Sequence, residues 1–265
     1  MNVLSLFDGI SCGQQALKNL AIPISNYYAS EIEHHAIAIT QKNHPYTIQL
    51  GDVKSITASQ VPKIDLLLGG FPCQAFSIAG KKMGFSDDRG MLFYEAVRLL
   101  GELKPSYFLF ENVIMKQEIQ DEISRLFGVH PILINSDRFV QQNRPRLYWT
   151  NIPTRDLPAR PNWQGDYYQW RHRERKFRKN QSGVCPCLAQ YMGTGGHNVP
   201  LRSENLADKL TINELEVLQG LPKDYTAGVS NSSRLKAIGN GWTVDVIAHI
   251  FRGLSDEIAK FERVK

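Results

Sequence analysis

Along the first half of the chain, short apolar runs alternate with stretches of helical period. The strand-like runs are Val3 to Phe7, Tyr27 to Glu31, Thr47 to Leu50, Ile64 to Leu68, Tyr107 to Glu111 and Ile132 to Asn135, and a seventh, Leu147 to Asn151, follows a basic loop. Helical patterns fill the gaps at Gly13 to Leu20, His34 to Asn43, Leu92 to Leu103 and Gln117 to Phe127. Strands of this length separated by helices predict an α/β fold with a mainly parallel sheet. Ser11 and Gln14 have the spacing of a capping box, which would start the first helix directly after the first strand.

From about Pro153 to Lys209 this pattern breaks. Pro, Gly, Arg and aromatic residues dominate there, and helical periodicity is lost. Order resumes at Thr211 to Glu214, a second capping box opening a helix through Leu218, and a last amphipathic helix is expected over Val244 to Leu254. The predicted organisation is a core made of residues 1–152 and 211–265, interrupted by a small irregular insert at residues 153–210.

Composition narrows the class. A chain of 265 residues with 42% hydrophobic and 22% charged content can bury a substantial core as a globular protein. No apolar run approaches membrane-spanning length, and Met1 leads straight into the first strand-like run. A cytoplasmic monomer, with no membrane association, is therefore expected. The four cysteines (Cys12, Cys73, Cys185, Cys187) are irregularly spaced, which suits reduced thiols better than a disulfide framework.

Charge points to a partner. The formal net charge is +5, and six of the 31 basic residues fall between Arg171 and Lys179 with a single acid, Glu174, leaving 25 of each sign elsewhere. Arg171, Arg173, Arg175 and Lys179 alternate, so one strand would gather them on a single face near Tyr167, Tyr168 and Trp170. In an otherwise neutral chain, that concentration predicts contact with nucleic acid.

Candidate chemistry collects at strand ends, where open parallel sheets bind their ligands. The first strand runs into the turn Phe7 to Gly13, in which Gly9 permits close backbone approach and the following helix offers free N–H groups. The second strand ends at Glu31, placed for ribose hydroxyls, and the third is followed by Asp52. Together these favour a nucleoside cofactor, although the dinucleotide pattern G-x-G-x-x-G is absent. The fourth strand delivers Gly70, Phe71, Pro72, Cys73 and Gln74, followed by a Gly- and Lys-containing stretch at positions 79–84 that resembles a lid. Cys73 thus sits at the mouth of a site, whereas Cys12 reads as a small core residue. The fifth strand brings Glu111 to the same edge. After the apolar run Tyr107 to Phe110, this acid is poorly placed for a structural ion pair.

Phe71 to Gln74, Glu111 to Val113, Gln142 to Arg146, Leu218 to Pro222 and Ile238 to Asn240 stand in the order and spacing of the cytosine-5 DNA methyltransferases. The chain resembles that family over nearly its whole length, in the manner of a small prokaryotic or phage-type member of restriction-modification systems. Asp8 to Ile10 and Trp242 are also similar to the eukaryotic de novo branch. Three sites depart from the family pattern. Ser11 replaces a second glycine, Gly241 and Trp242 replace a small pair, and Cys187 with Leu188 stands where relatives carry Thr-Leu.

The resemblance implies a Rossmann-like, S-adenosylmethionine-dependent methyltransferase core with a target-recognition insert, acting on carbon 5 of cytosine in duplex DNA after base flipping. It implies Cys73 as the covalent nucleophile, with Arg144 as the candidate to activate it, Glu111 at the N3 edge of the base, and Arg144 and Arg146 holding base and backbone. It implies cofactor contacts at Phe7, Asp8, Gly9, Ile10, Glu31, Ile32, Asp52, Val53, Gly70, Pro72, Leu92, Asn240 and Trp242. DNA contacts are expected at Gln74, Ser77, Lys81, Arg171, Arg173, Arg175, Thr194 and Gly195. The run Gly193 to Gly196 lacks a following Gly-Lys-Ser/Thr and reads as a recognition loop rather than a phosphate cradle. No metal is expected, since Cys185, Cys187, His172 and His197 lack paired C-x-x-C spacing. Two alternatives share the core: an RNA cytosine-5 methyltransferase, and a catalytically silent DNA-binding relative.

Overall fold

The computed structural model describes residues 1–72, 88–171, 176–193 and 199–263. Its centre is a seven-stranded sheet of order β3-β2-β1-β4-β5-β7-β6. The strands are β1 (Asn2–Leu6), β2 (Asn26–Ser30), β3 (Ile48–Gln49), β4 (Leu66–Gly69), β5 (Tyr107–Asn112), β6 (Ile132–Asn135) and β7 (Pro145–Thr150). The first five are parallel, and β7 runs antiparallel between β5 and β6. The order reverses between β1 and β4, so a crevice opens where their carboxyl ends diverge.

Central strands buried on both faces need apolar residues at every position, and β4 supplies Leu66, Leu67 and Leu68, all fully buried. Alternation divides them: Leu66 and Leu68 join one apolar cluster and Leu67 the other. The first cluster takes in α1 (Cys12–Asn19) and α7 (Val244–Arg263), through Leu17, Ile247 and Phe251. The second takes in α3 (Asp88–Leu103) and α4 (Gln117–Phe127), where Phe110 and Phe127 stack with centroids 4.4 Å apart. Helix α2 (His34–Asn43) follows β2. A third cluster joins Tyr167, Cys185, Leu188, Met192 and Val199 to Leu215, Leu218 and Ile238 on α5 (Ile212–Leu218) and α6 (Asn231–Asn240). Cys12 lies in the first cluster, and burial pushes its thiol pKa up to about 12.

Three expectations are corrected. Ser11 does not cap α1: its backbone is left-handed, at φ 55°, and its hydroxyl turns to the Asp8 carboxylate instead of a helix N–H. By contrast, the Thr211–Glu214 capping box forms. The basic segment is not one strand. It folds as a hairpin of β8 (Tyr168–Arg171) and β9 (Lys176–Lys179), in register Tyr168↔Lys179 and Arg171↔Lys176. In that register Lys179 shares a face with Tyr168, and Arg178 shares the opposite face with Gln169. Finally, α7 runs to Arg263, past Leu254, and α6 was hidden because its Ser- and Asn-rich start lacks an apolar stripe. Among the described residues, no helix is long and apolar enough to cross a membrane.

Candidate active site

The turn after β1 is built on three left-handed residues, Phe7 at φ 55°, Gly9 at φ 60° and Ser11 at φ 55°, and the space where a side chain on Gly9 would project is open. Gly9 N–H donates to Glu31 Oε2 (2.8 Å), while Ile32 and Glu33 N–H donate to Glu31 Oε1 (both 2.8 Å). Three backbone donors thus fix the Glu31 carboxylate at the end of β2, with acceptor capacity left for a hydroxyl. Ile32 beside it is 65% exposed. Asp52 is exposed and caps a short turn through Lys54 N–H (3.0 Å), over the buried Val53. Phe7 and Leu92 are half-buried at the edge of the second cluster. Together these residues make an apolar and acidic cleft at the ends of β1, β2 and β3.

Asp8 is different. Tyr27 and Ser11 hydroxyls donate to its carboxylate, the former over 2.9 Å. Burial, opposed by those hydrogen bonds, raises its pKa to about 6. Its side chain points inward, and only its backbone borders the cleft. Ile10 is likewise buried, its carbonyl accepting from Tyr225 (2.8 Å).

The second half of the site lies at the ends of β4 and β5. Glu111 is 9% exposed. Arg146 Nε reaches its Oε1 at 3.0 Å and Trp242 Nε1 donates to its Oε2 at 3.0 Å. The ion pair overturns the expectation that Glu111 is badly placed for one, because antiparallel β7 sets Leu147 opposite Asn112 and so brings Arg146 to the edge of β5. Gly70 lies beneath: a Cβ there would stand 2.8 Å from Trp242 Nε1 and 3.4 Å from Glu111 Oε2. Asn112 Nδ2 donates to Phe71 O (3.1 Å), fixing the strand that leads through Pro72 to position 73. Asn240 closes α6 and is exposed beside Gly241.

Arg144, the candidate activator of Cys73, is itself buried and fully engaged by hydrogen bonds. Its terminal nitrogens donate to the carbonyls of Leu188 (2.7 Å), Gly239 (3.1 Å) and Gly241 (2.9 Å), and to Cys187 Sγ (3.6 Å). Burial, with Arg146 nearby, pushes its pKa down. Arg144 is therefore a strut joining β7 to the segments carrying Leu188 and Trp242. Gln142 and Gln219, both fully buried, complete the lattice. Gln142 Nε2 donates to Gln219 Oε1 (2.7 Å) and Gln219 Nε2 to Gly241 O (2.6 Å). Sequence reasoning gave these glutamines and Asn112 no role. Their positions inside the recognised motifs were the available signal.

Cys187 Sγ lies against Arg144 and Arg146 (3.6 and 3.7 Å). Burial alone would raise its thiol pKa, but the two guanidinium groups hold it below the usual value. Cys73, Gln74, Ser77, Lys81, Arg173, Arg175, Thr194 and Gly195 lie outside the described residues, as do positions 79–84, His172, His197 and the side chain of Arg171.

Comparison with known proteins agrees with this architecture. The profile of the C-5 cytosine-specific DNA methylases matches residues 1–184 and 159–256. The type II methyltransferase M.Bsp6I of Bacillus sp. (strain RFL6) is 30% identical, over 94% of this chain and 97% of its own length. The orphan methyltransferase M.SPRI of Bacillus phage SPR is 36% identical over 63% of this chain, which spans 41% of that longer protein. Among solved structures, the S. pombe Dnmt2 methyltransferase superposes with a TM-score of 0.74 at 18% identity, over 97% of this chain and 99% of that one.

Proposed function

The chain belongs to the C-5 cytosine-specific DNA methylase family, and on that premise we propose that it methylates carbon 5 of cytosine in duplex DNA, with Cys73 as nucleophile and Glu111 as the acid at N3. The observation that carries the reading is the Glu111 carboxylate, held by Arg146 and Trp242 at the sheet edge where Gly70 to Pro72 lead to position 73. Residues 1–152 and 211–265 form the catalytic and cofactor core of this reading, and residues 153–210 its target-recognition insert.

Carbon 5 of cytosine is too electron-poor to attack a methyl group unaided. Addition of the Cys73 thiolate to carbon 6 makes an enamine whose carbon 5 is nucleophilic. Electron density then builds at N3. A proton supplied through Glu111 neutralises it, and Arg146 balances the carboxylate left behind. S-adenosylmethionine, when bound, supplies an electrophilic methyl group on a sulfonium. The cleft fits such a nucleoside: Glu31 offers acceptor capacity to ribose hydroxyls, Ile32 an exposed apolar face for a base, and Asp52 a free carboxylate oxygen. Gly9, Val53, Phe7, Leu92 and Pro72 would shape its walls, and the backbones of Asp8 and Ile10 its turn. Once carbon 5 is methylated, the N3 proton returns to the Glu111 carboxylate, the carbon-5 proton passes to a water base, its bonding pair re-forms the 5,6 double bond, and the Cys73 thiolate leaves. The target must be flipped out of the duplex to meet these groups.

Transfer of radiolabel from S-adenosylmethionine to duplex DNA, with tRNA in parallel, tests the reading. Label recovered as 5-methylcytosine in DNA is the expected result. Label in tRNA alone would overturn the substrate.

A further inference from the structure

The β8–β9 ribbon pairs Gln169 directly with Arg178, so the two side chains stand next to each other on one face. Both line a groove of about 860 Å³ that Asn143 and Cys187 also line. Cys187 touches Arg146, and Arg146 touches Glu111. One wall of the groove is thus linked to the Glu111 carboxylate through Cys187 and Arg146.

Among the described residues, several cations of the insert and of the segments packed on it are already engaged. Arg160 pairs with Asp137 (2.7 Å), Lys179 with Asp166 (2.7 Å) and Arg202 with Glu214, while Arg138 donates to Pro158 O (2.6 Å). Among the described residues, neither Arg178 nor Gln169 has a hydrogen-bond or ion-pair partner for its side chain. Arg178 is exposed and Gln169 half-buried. A guanidinium and an amide, side by side and unpaired on a two-stranded ribbon, match the edge of bases in a major groove. That groove admits such a ribbon, and a guanidinium fits the O6 and N7 of guanine with two hydrogen bonds.

We propose that Gln169 and Arg178 are the base-reading pair of this protein, Arg178 selecting a G·C pair at one fixed offset from the target cytosine and Gln169 reading the adjoining pair. The inference rests on the DNA methylation proposed above. Phosphate-binding arginines elsewhere in the insert would position the duplex without selecting sequence.

Bisulfite sequencing of DNA exposed to the wild type, Arg178→Ala, Arg178→Lys and Gln169→Ala is the test. The wild type is expected to methylate cytosines that share a G·C pair at one offset. Arg178→Ala should relax that position alone, by roughly tenfold to a hundredfold in site preference. Arg178→Lys should keep most DNA affinity yet lose the same preference, because an ammonium lacks the planar fork. Gln169→Ala should relax the adjacent position. Variants that methylate unchanged sites at a uniformly lower rate would overturn the inference, since that is how a phosphate contact behaves. A wild type leaving no 5-methylcytosine in DNA would overturn the methylation reading itself, an outcome separable from unchanged preference.

Discussion

Trp242 donates its indole N–H to Glu111 Oε2 across 3.0 Å, and both groups close over the bare backbone of Gly70. The aromatic residue that departs from the family pattern thus holds the carboxylate proposed as the acid at N3. Trp242→Phe keeps the ring and removes the donor. A hydrogen bond to a charged group is worth about 1.5–3 kcal/mol, so kcat is expected to fall about tenfold to a hundredfold. Gly70→Ala should act similarly by displacing the ring. Steady-state kinetics, with circular dichroism to show an intact fold, would check both. Full kcat in Trp242→Phe would show that the bond does not matter.

Arg144 and Arg146, two residues apart in one motif, should separate on mutation. Arg144→Met strips hydrogen bonds from three buried carbonyls and is expected to destabilise the protein by about 3 kcal/mol or more. Arg146→Met removes one partner of Glu111 and should chiefly reduce turnover. Urea denaturation beside turnover measurements distinguishes the two. Equal stability losses would contradict the assignment of Arg144 as the strut.

Asp8 sets a pH dependence. Burial raises its pKa from 3.8 to about 6, so the folded state favours the neutral carboxyl. Its contribution to stability is fully present below pH 3.8 and is lost as pH rises through about 6. Asp8→Asn retains the shape without the charge. Relative to the wild type, its unfolding free energy should gain about 2–3 kcal/mol between pH 4 and pH 7, at 1.36 kcal/mol per pKa unit. Denaturation curves at the two pH values measure it, and a constant difference would rule out Asp8 as the titrating group.

The parts of this architecture that were legible in sequence are those where one local rule decides. A short apolar run such as Leu66 to Leu68, bounded by Asp65 and Gly69, suits a strand buried on both faces, and Thr211 with Glu214 makes a cap from its own side chains. Ser11 has the same lettering as a cap, but a nearby buried carboxylate competes for its hydroxyl, and tertiary contact wins. The Arg146–Glu111 pair was hidden because it depends on β7 inserting antiparallel beside β5, a pairing that no local pattern encodes. Gln142 and Gln219 were hidden because glutamine is usually solvated, and only the packed fold reveals a satisfied interior amide.

The central claim is a covalent attack by Cys73 assisted by Glu111, and its most direct measurement is trapping on 5-fluorocytosine. Fluorine cannot leave carbon 5 as a cation, so the Cys73–carbon 6 bond should persist after methyl transfer. With a duplex carrying 5-fluorocytosine at the target position and S-adenosylmethionine present, a protein–DNA complex should survive denaturing electrophoresis. The complex should vanish with Cys73→Ser, form much more slowly with Glu111→Gln, and be lost without the methyl donor, because addition alone reverses. A denaturant-resistant complex formed equally by Cys73→Ser, or none formed by the wild type on DNA it methylates, would contradict the account.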